Sequence, residues 1–127
     1  MAPSEPIFRS IQVAQGQSLT LGEPIPPDVL PMMRPAGPDR MAMDPGTFHG
    51  ARTITVTLAG GGGITEMDFA YGDRPGYGQL AAEYEARFGP PRQAQGQSVV
   101  WEDAGTRFEV FLRDGHAGSL LADLLTA

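Results

Sequence analysis

The sequence predicts an α+β fold, an antiparallel sheet of four to six strands with a helix packed on one face. Three observations predict it. Residues 53–59 and 64–71 alternate apolar and polar side chains on either side of Gly60-Gly61-Gly62-Gly63, the pattern of a hairpin with one wet face. Residues 98–113 repeat that pattern around Ala104-Gly105. Between the hairpins, Tyr77, Leu80, Ala81, Tyr84 and Phe88 recur at helical spacing along one face.

Taken in order, Ile7, Arg9, Ile11 and Val13 share one side of a first strand, followed by a turn at Gln15-Gly16-Gln17 and a short strand over 18–21. Prolines 24, 26 and 27 then bend the chain, and residues 27–33 hold one helical turn limited by Pro31. Residues 34–50 contain Pro35, Gly37, Pro38, Pro45 and Gly46 and read as one long irregular loop. In the first central hairpin Ile54, Val56 and Leu58 point inward, with Met67, Phe69 and Tyr71 on one face of the return strand. Glu66 and Asp68 lie on its other face. The helix over 77–88 ends at Gly89-Pro90-Pro91, a left-handed stop followed by residues that cannot continue it. In the second hairpin Phe108, Val110 and Leu112 are the inward set. Arg107, Glu109 and Arg113 are outward, and Phe111 is an aromatic anomaly among them. After Asp114-Gly115, Ser119 is placed to cap a short C-terminal helix carrying Leu120, Leu121, Leu124 and Leu125 as a stripe.

The length of 127 residues fits one domain spanning 1–127, large enough to bury a core without disulfides or metal. Seventeen glycines and twelve prolines favour short strands and many turns over a helical bundle. The chain has no cysteine, which excludes disulfides and thiolate chemistry. A formal charge of −6, with nine basic residues that are all arginine, argues against nucleic acid as a partner. Arginine, alanine, glycine and proline usage point to a GC-rich bacterial genome. No apolar run reaches membrane-spanning length, so direct membrane insertion is not expected. As written the chain reads as cytoplasmic; if Ala2-Pro3-Ser4-Glu5-Pro6 were a mature terminus left by leader cleavage, it would belong to the periplasm or envelope.

Two internal echoes stand out. Ala14-Gln15-Gly16-Gln17-Ser18 recurs as Ala94-Gln95-Gly96-Gln97-Ser98, and a helix, Gly-Pro, hairpin order occurs around Gly37-Pro38 and again around Gly89-Pro90. With Gly16-Gln17-Ser18-Leu19, the helix ending at Phe88-Gly89-Pro90-Pro91 and the Trp-bearing strand Val99-Val100-Trp101-Glu102-Asp103, this order resembles small bacterial envelope domains, the SmpA/OmlA-type lipoproteins and β-lactamase-inhibitor-like domains. That resemblance implies short helices on antiparallel sheet and a non-catalytic role in binding other proteins. It carries over no functional residue, and the lipoproteins' lipid-bearing cysteine is absent.

The residues therefore point to a non-enzymatic protein-binding or assembly module with no cofactor. Phe111 framed by Arg107 and Arg113 has the make-up of a contact anchor, and Trp101 is a second aromatic candidate, although sharing a face with Val99 favours the core for it. A second reading is soft-metal binding, Cu(I) through Met41 and Met43 with His49 nearby; against it, methionines serve as adaptable core filler. A third is a small hydrolase. Glu66 and Asp68 project from one strand face about 7 Å apart, within the range of paired glycosidase carboxylates, yet the same pair fits a solvated sheet face. His49 and His116 have no second histidine at metal-ligand spacing, and no serine stands in a nucleophile-elbow motif.

Overall fold

The computed structural model describes residues 7–14, 16–44, 52–60, 62–71 and 76–124. Ten strands run along the described chain: β1 (Ser10–Ala14), β2 (Gln17–Thr20), β3 (Arg34–Gly37), β4 (Arg40–Met43), β5 (Thr53–Leu58), β6 (Ile64–Ala70), β7 (Gln93–Gln95), β8 (Ser98–Glu102), β9 (Thr106–Arg113) and β10 (His116–Asp123). One α-helix, α1 (Tyr77–Phe88), and a 3-10 turn (Leu30–Met32) complete the set. β1 and β2 form a two-stranded sheet. The other eight form a single antiparallel sheet in the order β3-β4-β5-β6-β10-β9-β8-β7.

This corrects the expected fold class. The protein is mostly β, with one eight-stranded sheet rather than four to six strands, and a single α-helix among the described residues. The expected C-terminal helix is instead β10, which lies at the middle of the sheet between β6 and β9. Ala117, Ser119 and Leu121 point into the core, while His116, Gly118, Leu120 and Ala122 point out. The same residues satisfy a helical stripe, but a strand in this slot pairs its backbone on both sides. The expected irregular loop at 34–50 is also corrected in its first part, because β3 and β4 form a hairpin at the sheet edge. Pro35 is tolerated there because an edge strand needs only half of its backbone donors. Residues 45–50 lie outside the described residues.

Two four-stranded meanders, β3–β6 and β7–β10, meet at the β6–β10 pair. Each is entered from a helical segment, the 3-10 turn or α1, so the repeated order of elements is present. The Gly-Pro pairs do not correspond, since Gly37-Pro38 belongs to the β3–β4 turn and Gly89-Pro90 precedes β7. The repeated pentapeptide falls at a hairpin turn in each copy, with Gly16 and Gly96 at φ +73° and +61°, but the pairing differs: Ala14 opposes Gln17 in the first and Gln95 opposes Ser98 in the second.

The core lies on one face of the sheet. Leu80, Tyr84 and Phe88 of α1 are buried over β9 and β10, where Tyr84 meets Phe108 edge-on at 4.6 Å and Phe88 meets Trp101 at 5.9 Å. Burying each such side chain stabilises the fold by about 1.5–3 kcal/mol. The β1–β2 hairpin adds Ile11, Val13 and Leu19 to the same core. Backbone bonds fix its connection to the sheet, Gly22 N–H to Ile64 O at 2.8 Å and Ile64 N–H to Glu23 O at 2.9 Å. Arg9 completes the junction, donating to Gly105 O at 2.7 Å, Thr106 Oγ1 at 3.0 Å and Asp123 Oδ1 at 2.8 Å.

Candidate functional site

The helix and the small hairpin both contribute to the core on one face, and they leave the other face of the large sheet uncovered. Strand alternation and register define it row by row. One row reads Thr57, Glu66, Ala122, Arg107, Glu102; the next Thr55, Asp68, Leu120, Glu109, Val100; the next Thr53, Ala70, Gly118, Phe111, Ser98. His116 and Arg113 close the end. Most of these side chains are partly or fully exposed. Val100 is buried yet stands outside the core cluster, so longer neighbours close over it.

Charge on this face is largely paired. Arg40 lies 3.7 Å from Asp68, Arg107 3.9 Å from Glu109 and Arg92 3.4 Å from Glu102. Ser98 donates to Glu109 Oε2 at 2.6 Å. Arg113 differs: among the described residues it has no ion-pair partner, and its guanidinium stacks 4.8 Å from the Phe111 ring centroid. That stacking fixes the guanidinium against an apolar surface while its N–H groups keep their hydrogen-bonding capacity.

Phe111 is half-buried, and β10 explains how an aromatic fits there. Its cross-strand partner is Gly118, and a Cβ placed on Gly118 would stand 2.6 Å from Phe111 Cε1 and 2.8 Å from Cζ. The ring therefore reaches over the glycine and shields the central strand, as aromatics do beside strand glycines. Beside it is a cleft of about 270 Å³, lined by Asp68, Ala70, Phe111, Arg113, Asp114, His116 and Gly118 together with Phe69, Tyr71 and Ala117. Burial in this region pushes the Asp68 carboxyl above its ordinary value. Arg40 and Arg113 oppose that shift and Glu66 adds to it. Below the cleft floor, Tyr71 Oη and Ser119 Oγ are 3.0 Å apart, and burial raises the Tyr71 phenol to about 12.

The structure brings together some of the residues singled out from the sequence and separates others. Phe111, Arg107 and Arg113 share the outer face, with Phe111 and Arg113 in contact. The Leu stripe does not cover Phe111, because Leu121 points to the core and Leu120 lies in the next row of the outer face. Trp101 is withdrawn as a contact residue, being 3% exposed with its indole N–H donating to Gly89 O at 2.9 Å. Met43 is buried and Met41 packs against the same core, so both act as core filler beneath β4. His49 lies outside the described residues. Glu66 is exposed and does not line the cleft beside Asp68, so the two carboxylates do not flank a common space. His116 directly opposes Arg113 across the β9–β10 pair. Gly118 is the residue that sequence reasoning misses; a glycine among the small and apolar residues 117–121 is its one signal, marking a close approach.

Among the described residues, no three His, Asp or Glu side chains cluster as a metal site, and no helix is long and apolar enough to cross a membrane. Comparison with protein-family models, with curated proteins and with solved structures finds no match to this chain.

Proposed function

We propose that the protein is a non-enzymatic docking module that binds another protein through the outer face of its eight-stranded sheet, centred on Phe111, Arg107 and Arg113. The observation that carries this reading is the Phe111–Arg113 stack over Gly118 beside an open cleft. Phenylalanine and arginine are both enriched at protein interfaces, and arginine also at their energetic centres. The paired charges around the stack form a polar rim of the kind that surrounds such centres. The sheet holds these side chains on a rigid surface, so little ordering cost falls on binding.

Site-specific photo-crosslinking tests the reading. A photoreactive residue at position 111 is expected to give a discrete protein adduct in an extract of the source cells, and one at exposed Glu85 on α1 is expected to give none. Equal adducts from both positions, or none from position 111, would count against a docking face here.

A further inference from the structure

Resting on that docking reading, we infer that the cleft beside Phe111 receives the C-terminus of a partner polypeptide, with its terminal carboxylate on Arg113 and its last, apolar side chain on the Phe111–Gly118 floor. Three features of the structure lead there. Arg113 is a guanidinium without a carboxylate within ion-pair distance among the described residues, and stacking on Phe111 at 4.8 Å holds it in place. A guanidinium fork so held matches a carboxylate with two parallel N–H donors. His116, its direct cross-strand neighbour, brings a second nitrogen donor to the same rim.

The space fixes the size of the occupant. About 270 Å³ lies just below the roughly 300–1,000 Å³ of sites that enclose whole small ligands, so the cleft itself suits one or two terminal residues. The lining fixes its polarity. Phe111, Ala70 and Gly118 offer apolar surface within the same cleft as Arg113. One terminal residue carries both a carboxylate and an apolar side chain on adjacent bonds, so it satisfies both demands at once. An internal Glu or Asp fits less well. Its main chain would continue in both directions past Asp68 and Asp114, on a protein of net charge −6. Those acids disfavour any negative charge beyond the one carboxylate that Arg113 takes, and a terminus, unlike an internal acid, needs room for the main chain on one side only.

The test is a ¹H–¹⁵N NMR titration of the full chain with N-acetyl-glycyl-leucine as the free acid, its C-terminal amide, and N-acetyl-glutamate amide. One residue's contacts support only a weak complex, with Kd of about 1–10 mM. The free acid is expected to shift the Arg113 Nε–H, Phe111 and Gly118 signals saturably, the amide to bind at least tenfold more weakly, and the glutamate amide likewise. Arg113→Gln, at an exposed position, should abolish the response while leaving the rest of the spectrum in place; Arg113→Lys should retain part of it. No saturable shift at these residues, an equal response to acid and amide, or an unchanged response in Arg113→Gln would overturn the inference. A glutamate amide binding as well as the dipeptide acid would overturn the assignment to a chain terminus. If the dipeptide fails while the adduct from position 111 persists, terminus recognition falls and the docking face stands. If the adduct is absent as well, both fall.

Discussion

Gly118→Ala probes the contact that makes Phe111 an anchor. In a strand interior, alanine in place of glycine would by itself stabilise the fold by about 0.5–1 kcal/mol. Here the added Cβ would meet the Phe111 ring at 2.6 and 2.8 Å and Phe69 O at 3.3 Å. The ring is the movable partner, so it must leave. Phe111 is half-buried, and giving up that burial costs about 1–1.5 kcal/mol, half the value for a fully buried side chain. Losing the stack with Arg113 costs about 0.5 kcal/mol more at an exposed site. The net expectation is a destabilisation of about 1 kcal/mol, or about 3–5 °C in Tm for a chain of this size. Phe111→Ala alone should cost about 1.5–2 kcal/mol by the same terms. In the double variant the ring clash is gone and only the 3.3 Å approach to Phe69 O remains, so alanine recovers most of its intrinsic gain and the pair should be less destabilised than the sum by about 1.5 kcal/mol. Urea unfolding followed by the fluorescence of Trp101, the sole tryptophan and a buried one, supplies all four corners of the cycle. Costs that add to within about 0.5 kcal/mol would refute the account of the ring over the glycine.

Three further expectations concern the surroundings of the site and the core beneath it. Because burial raises the Asp68 pKa in the fold above its ordinary 3.8, the folded state holds that proton more tightly, and stability falls as pH rises from 3.8 through the raised value. Asp68→Asn should therefore raise Tm at pH 7 and leave it nearly unchanged at pH 3, by calorimetry; a loss at pH 7 would mean that the Arg40 pairing outweighs burial. Trp101→Phe leaves the buried Gly89 carbonyl without its 2.9 Å donor and should destabilise by about 1–3 kcal/mol in urea, a cost below 0.5 kcal/mol contradicting the bond's role. Arg9→Met removes three hydrogen bonds, one of them to an Asp123 side chain that is 1% exposed. It should cost about 3 kcal/mol, the low end for breaking a buried pair because Arg9 is itself partly exposed; an unchanged urea midpoint would contradict the junction described here.

The sequence carried much of this fold where local pattern and tertiary slot agree. α1 begins at Tyr77 and ends at Phe88 as its periodicity and Gly89-Pro90-Pro91 require, and β5, β6, β8 and β9 lie within the two central hairpins expected. β10 was not legible, because Leu120, Leu121 and Leu124 fit a helical stripe while Ala117, Ser119 and Leu121 fit a strand equally well. The open slot between β6 and β9 decides, and no local signal reports it. β3 and β4 were hidden by Pro35 and Pro38 and by a turn in which Asp39 adopts φ +57°. Of the site, Phe111, Arg107 and Arg113 were visible as an outward group on one strand. Their relation to Gly118 and His116 depends on the β9–β10 register, which the hairpin turn at Asp114-Gly115 sets and which a helical reading of residues 119–125 hides.

The docking face is tested most directly by combining a photoreactive residue at position 107 with substitutions at the stack. A protein adduct is expected from position 107 in an otherwise native chain, with at least a tenfold loss of that adduct in Phe111→Ala and in Arg113→Glu, each variant still folded by circular dichroism. An adduct of unchanged yield in both folded variants would contradict a docking face centred on the stack.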